Sequence, residues 1–386
     1  MKMAIRGTSF FAVFILCIEL FTLSGCSITS SSNKSSMAYI SLVYTYSDTQ
    51  ETDPSKKIKT LFYIYDLANK QLKPIYSISG TSMYSTGIVD YKNSKVYYTM
   101  PANNHDTLQV DNEAGYKLIS YDLKTHTTKD ITGFHHEFKQ LNLLNGKIIG
   151  IVKGSESNGN SQLSLIDPAT GIVEPISPDD TDVVYRDYSI DHSTGEILTL
   201  TYSDFARRNE NVGISTRTVL PCPYYLSVTD SKLSPPKVIY TFSRYIYYTE
   251  YGSSLHEDPQ LTELALRTAN NIEVKAASRM DDNNILVIAA TSSLTNNATL
   301  KILHLDKKTV DDFPIAGVKY YSKPLATLDR KGMIMNLVMQ DGTSGTYYYK
   351  FADKSLKLLF SLQDAQKGLP NTATHLNLID MEFVVQ

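Results

Sequence analysis

Few residues in this chain have types and spacings that could do chemistry. Its 386 residues include three cysteines, at positions 17, 26 and 222. Cys26 closes the run Leu23-Ser24-Gly25-Cys26, directly after a mostly apolar stretch. Cys222 stands between Pro221 and Pro223. With no His-Asn or His-Asp motif recognisable as its partner, it reads as a small buried or strand-edge residue rather than a nucleophile. His135-His136-Glu137 has the residue types of a metal site. Neighbours on a strand face opposite ways, however, so adjacent histidines rarely share an ion. Asp179-Asp180-Thr181-Asp182 lacks the glycine-centred spacing of a calcium loop and reads as a solvated turn. No Gly-x-Ser-x-Gly elbow, His-Glu-x-x-His helix or glycine-rich Lys-Ser/Thr phosphate loop occurs. No catalytic residue is assigned, and no metal or cofactor is implied. The residues suited to binding are Tyr245, Tyr247, Tyr248 and Tyr251, beside Arg244. Tyrosine offers flat apolar area plus a hydroxyl, which suits sugars, peptides or protein surfaces; packing within a sheet is the plainer use of the same residues. Arg207 and Arg208, with Arg217 further on, suit an anionic ligand or lipid head groups, or simply solvent.

The N-terminal segment carries an address. Lys2 and Arg6 precede the apolar stretch from Phe10 to Leu23, the charge and length pattern of an export signal. Glu19 within it is costly in a bilayer, and the stretch is short for a membrane span. Leu23-Ser24-Gly25-Cys26 resembles the lipobox of bacterial lipoproteins at all four positions. The resemblance implies that the Cys26 thiol receives a diacylglyceryl group and becomes the new N-terminus once residues 1–25 are removed. Two acyl chains are enough for stable membrane attachment. Residues 26–37 are small and polar and form a flexible tether with a reach of roughly 17 Å per ten residues. With Cys17 discarded and Cys26 lipidated, Cys222 has no disulfide partner, so burial must stabilise the body.

Composition narrows the body. The length exceeds one ordinary single-core domain, which calls for two domains or a repeat architecture. Hydrophobic residues at 42% and charged ones at 20% are globular proportions. With 37 Lys+Arg against 40 Asp+Glu, net charge −3, the footprint of a nucleic-acid binder is missing. Tyr 27 with Trp 0 points to a β-rich protein.

The repeat is explicit: an apolar strand, an Asp-led turn, and a second short strand. It recurs at 61–78, 117–132, 162–177, 224–242, 299–315 and 347–362, with turns led by Asp66, Asp122, Asp167, Asp230, Asp306 and Asp353. Aspartate at the first turn position accepts a backbone N–H two residues on, so these acids are structural. A second hairpin precedes most units, as at 87–100, 141–152, 188–202, 276–290 and 325–339. Two hairpins supply the four antiparallel strands of one propeller blade. The first unit lacks a strand, and "HLNLIDMEFVVQ" at 375–386 is an orphan. Pairing tail with head completes the blade and removes the open sheet edge. The expected fold is all-β, a six-bladed propeller over 38–386, with a seventh blade possible if the insertion 244–275 hides a degenerate unit. The blade pattern resembles the six-bladed TolB-like propellers of bacteria; the Trp-Asp signature of WD40 blades and the Gly-Gly signature of kelch blades are missing.

Blade geometry also sorts the loops. Turns joining strands one to two and three to four lie on one face of the disc and are short here. The long connections 47–59, 102–115, 204–223 and 244–275 all belong to the other face, the place for ligand or partner contact. Within the last, Asp258-Pro259 opens an expected short helix. The expected function is a lipid-anchored extracytoplasmic scaffold or binding protein that engages a protein, peptide or glycan through that face. Alternatives are a propeller lyase or hydrolase with its site at the channel mouth, and a sensor lipoprotein for a membrane kinase or transporter.

Overall fold

The computed structural model describes residues 38–102, 115–154, 159–176, 182–210, 223–230, 232, 234–242, 272–291 and 298–385. The signal segment, Cys26 and its tether, Cys222, Arg217, Asp179, Asp180, the cluster Tyr245–Tyr251 and the expected helix at 258 lie outside them.

The described residues form six antiparallel sheets in sequence order. Blade 1 runs outward through Ala373–Val385, Ala38–Asp48, Ile58–Asp66 and Gln71–Ser79. Blade 2 comprises Gly87–Asp90, Lys95–Pro101, Tyr116–Asp122 and Thr127–Asp130; blade 3 comprises Glu137–Leu144, Lys147–Lys153, Ser161–Ile166 and Val173–Pro175. Blade 4 holds Val183–Asp191, Glu196–Ser203, Tyr224–Thr229 and Lys237–Phe242, and blade 5 holds Ile272–Arg279, Asn284–Thr291, Ala298–His304 and Thr309–Asp312. Blade 6 has Val318–Tyr321, Gly332–Met339, Ser344–Lys350 and Ser355–Ser361, with Leu325–Ala326 pairing its second strand. The protein is an all-β, six-bladed propeller. Closure is as the orphan tail required: Tyr39 stands opposite Val384 and Leu42 opposite Met381. The tail strand begins two residues earlier than its apolar pattern suggested, at Ala373.

The turn aspartates behave as punctuation. Asp66 accepts the N–H groups of Ala68 and Asn69, Asp122 those of Lys124 and Thr125, and Asp167 those of Ala169 and Thr170. Asp230 and Asp353 accept from Lys232 and Ser355. These bonds, led by that from Lys73 at Asp66 and that from the Thr125 N–H at Asp122, hold the carboxyls below their ordinary range. The Asp167 turn ends on Gly171 at φ +77°, where a Cβ would lie 2.0 Å from the Ile131 carbonyl oxygen. Only glycine fits there.

Between neighbouring blades the facing side chains form the core. Leu198, Leu200, Val274, Ile285 and Val287 pack blades 4 and 5 together, and Leu286, Leu300, Met333, Met335 and Leu337 join 5 to 6. Ile40, Leu42, Ile334 and Phe360 join 6 to 1. Each such side chain contributes about 1.5–3 kcal/mol by leaving water. Buried tyrosines add directed bonds: the Tyr39 hydroxyl of blade 1 donates to the Val89 carbonyl of blade 2 at 2.6 Å. The 204–223 connection, read as loop, opens with a helix at Asp204–Glu210. The Ser203 hydroxyl accepts the Ala206 N–H at 2.9 Å, and Arg208 pairs with Asp204 one turn back at 2.6 Å.

Candidate functional site at the channel mouth

The innermost strands line the channel, and five of them carry one extra residue in the half nearer the long-loop face. In blade 1 Asp380 faces Val43 and Leu378 faces Tyr44, leaving Ile379 over. Blades 4, 5 and 6 do the same at Arg186, Lys275 and Lys319. In blade 3 the register slips between Lys139 and Asn142, and Gln140 takes φ +51°. A bulge re-aims the side chains beside it. Polar side chains beside three of the slips, Asp380, Gln140 and Asp187, converge.

The convergence is a buried network to which every blade contributes. Lys323, in the break between the inner strand segments of blade 6, approaches Glu382 at 3.0 Å and Asp187 at 3.4 Å. Its ammonium also donates to the Tyr188 carbonyl and lies 5.2 Å from that tyrosine's ring centroid. Asp187 of blade 4 accepts from the Gln140 amide at 2.5 Å and from the Ala277 N–H of blade 5 at 3.0 Å. Asn142 of blade 3 donates to Glu382 at 3.2 Å. Asp380, two residues before Glu382 on the closing strand, accepts from the Thr86 hydroxyl at the entry to blade 2, 2.7 Å away, and from the Met381 N–H at 3.0 Å. Burial raises both carboxyls of the closing strand, Asp380 to about 6 and Glu382 to about 8, against the pull of Lys323. Further contacts lie below the network. The half-buried His192 ring lies against Phe383 with centroids 5.5 Å apart, and Arg330 bridges Asp191 and Asp282.

Above the network lies a cavity of about 580 Å³. Thr86, Gln140 and Asp380 border its depth, Tyr116, Phe138 and Ile379 supply apolar wall, and Tyr84 stands at the rim with 71% of its surface exposed. His136, Glu137, Lys139 and Lys153 complete the rim. Glu137 and Lys139 pair with each other at 2.8 Å. The cavity opens where inner strands begin and where second strands end, which is the long-loop face. Its size is that of a small-molecule or peptide-end site.

Of the residues singled out from sequence, Arg207 donates to the Tyr202 hydroxyl at 2.7 Å and lies over that ring, while Arg208 is paired with Asp204. Neither borders the cavity. Of His135-His136-Glu137, the last two line it, because His136 precedes the strand and escapes strict alternation. His135 instead packs edge-on against Phe138 at 5.2 Å. Among the described residues no group of three His, Cys, Asp or Glu is disposed to hold a metal ion. The residues that sequence reading missed are Thr86, Gln140, Asp187, Lys323, Asp380 and Glu382. One signal was available: Asp380 and Glu382 alternate inside an otherwise apolar strand, which sets both on one face.

No family model and no curated protein matches the chain. Among solved structures it is similar to TolB from Acinetobacter baumannii, with 13% identity over 83% of this chain and 65% of that one, TM-score 0.39. It is similar to the β-propeller domain of the Trilobed protease from Pyrococcus furiosus, with 11% identity, coverage of 84% and 98%, and TM-score 0.41. It also resembles puromycin hydrolase, with 7% identity over 79% of this chain and TM-score 0.44, spanning 44% of that protein's length. No activity follows from likenesses at this depth.

Proposed function

We propose that this protein is a lipid-anchored, extracytoplasmic β-propeller that binds a protein, peptide or glycan at its channel mouth. The observation that supports the reading is the cavity of about 580 Å³ at the mouth, walled by Tyr116, Phe138 and Ile379 and rimmed by Tyr84 on the face that carries the long connections. Beneath it lies a polar network whose members bond each other, so it acts as a rigid floor. A rigid floor under loops of variable length is a binding architecture. Catalysis has less support: the cavity depth holds one carboxyl, Asp380, whereas glycoside hydrolysis uses a facing pair. The lipobox supplies the anchor and the export signal supplies the compartment.

The test is capture from membranes after mild cross-linking. Truncating the exposed rim by Tyr84→Ala should lower recovery of the cross-linked partner severalfold while the protein stays folded. Recovery equal to that of the unaltered chain would count against the mouth. Deleting 244–252 in parallel asks separately whether the tyrosine cluster takes part.

A further inference from the structure

We propose that the mouth cavity receives a free peptide C-terminus with an apolar last side chain, the carboxylate being taken at the rim by Lys153 and His136. The inference rests on the mouth-binding reading above and narrows its ligand. Three observations carry it.

First, the polar groups in the depth are already engaged. The Thr86 hydroxyl donates to Asp380, the Gln140 amide donates to Asp187, and the Tyr116 hydroxyl lies 3.1 Å from that of Ser82. A sugar would bury several hydroxyls there with few free partners, and an unmatched buried hydroxyl is costly. Second, the wall in contact with the same space is apolar, built of the rings of Tyr116 and Phe138 and the Ile379 side chain. An aliphatic or aromatic side chain gains most in such a place. Third, the rim carries unspent positive character. Lys139 is neutralised by Glu137, but Lys153 has no ion-pair partner among the described residues, and no side-chain bond is made there by His136. An ammonium and an imidazole N–H above an apolar well match a carboxylate attached to an apolar group. The exposed Tyr84 ring beside them offers a flat surface for the preceding residues. A chain end has this layout, and an internal peptide segment lacks the charge.

The experiment titrates the full-length chain in detergent with N-terminally fluorescein-labelled Ala-Ala-Ala-Phe, as the free acid and as the C-terminal amide, following anisotropy. The free acid should bind about tenfold tighter than the amide, the value of one charge-assisted bond. Lys153→Gln should weaken the acid about tenfold, leave the amide unchanged, and so erase the preference. Trigalacturonate should not displace the acid. Equal binding of acid and amide, a preference that survives Lys153→Gln, or no peptide binding at all would each overturn the proposal. If the peptides fail while Tyr84→Ala still reduces membrane capture, the mouth reading stands and only the chain-end reading falls. If Tyr84→Ala has no effect on capture or on peptide binding, both fall.

Discussion

Lys323 sets one positive charge against three buried carboxyl groups, Asp187, Asp380 and Glu382. One ammonium cannot compensate three carboxylates taken from water, and an uncompensated buried charge is relieved most cheaply by keeping a proton. Burial accordingly raises Glu382 to about 8 and Asp380 to about 6. Both groups bind their protons more tightly in the folded chain than in the unfolded one. The stability they contribute is therefore complete below the unfolded carboxyl range and is lost as pH rises through about 6 and then about 8. The turn aspartates act in the opposite direction. Asp353, held to about 2 by the Ser355 hydroxyl and Lys350, loses its contribution only as pH falls toward that value. Thermal unfolding followed by circular dichroism should show declining stability from pH 5 to pH 9. Glu382→Gln, which carries no charge at any pH and keeps one oxygen to accept from Lys323 while giving up the Asn142 bond, should be slightly less stable than the unaltered chain at pH 5. At pH 9 it should be more stable, by about 1–3 kcal/mol. A variant less stable than the unaltered chain at pH 9 would show that Glu382 is held as a carboxylate.

The closing strand Ala373–Val385 completes blade 1 and carries two of those acids, so sheet closure and channel floor depend on one element. A chain ending at residue 372 would leave Ala38–Asp48 as an unpaired inner edge and deprive Lys323 of Glu382. Exposed edges of this kind recruit other strands. Size-exclusion chromatography of the truncated chain should show soluble aggregates or loss to the pellet; a folded monomer would mean that closure is dispensable. The role of this strand was legible in sequence because "HLNLIDMEFVVQ" had no hairpin partner of its own while the first unit lacked a strand. Blade order and the Asp-led turns were legible for a similar reason, since both are set by local periodicity and turn chemistry. The floor was not. Gln140 meets Asp187 only because bulges in two blades displace the strict alternation of their inner strands, and a bulge depends on how a strand packs against its neighbours. Gly150 is a trace of this: a Cβ there would lie 2.6 Å from Leu141 Cδ2 in the slipped segment, a demand invisible without the partner strand. The helix at Asp204–Glu210 escaped notice because its cap, Ser203, also reads as the end of a strand.

Within the propeller, the mouth and the point where the described chain enters lie on opposite faces. The innermost strands start at the cavity face, so Val385 ends on the other face, and Ala38, paired with Val385, enters the propeller there. Residues 26–37, a tether under the lipoprotein reading, lie outside the described residues. Under the lipoprotein reading, anchoring and peptide binding are expected to be independent. Cys26→Ser should move the protein from the membrane pellet to the soluble fraction and abolish metabolic labelling with palmitate, because a serine hydroxyl cannot form the thioether that holds the diacyl chains. The same variant should bind the tetrapeptide acid with unchanged affinity, since no residue bordering the cavity lies on the entry side. Retention in the pellet would place the anchor elsewhere. Release accompanied by loss of peptide binding would mean that the mouth is shaped by the membrane, and that binding and anchoring are one device.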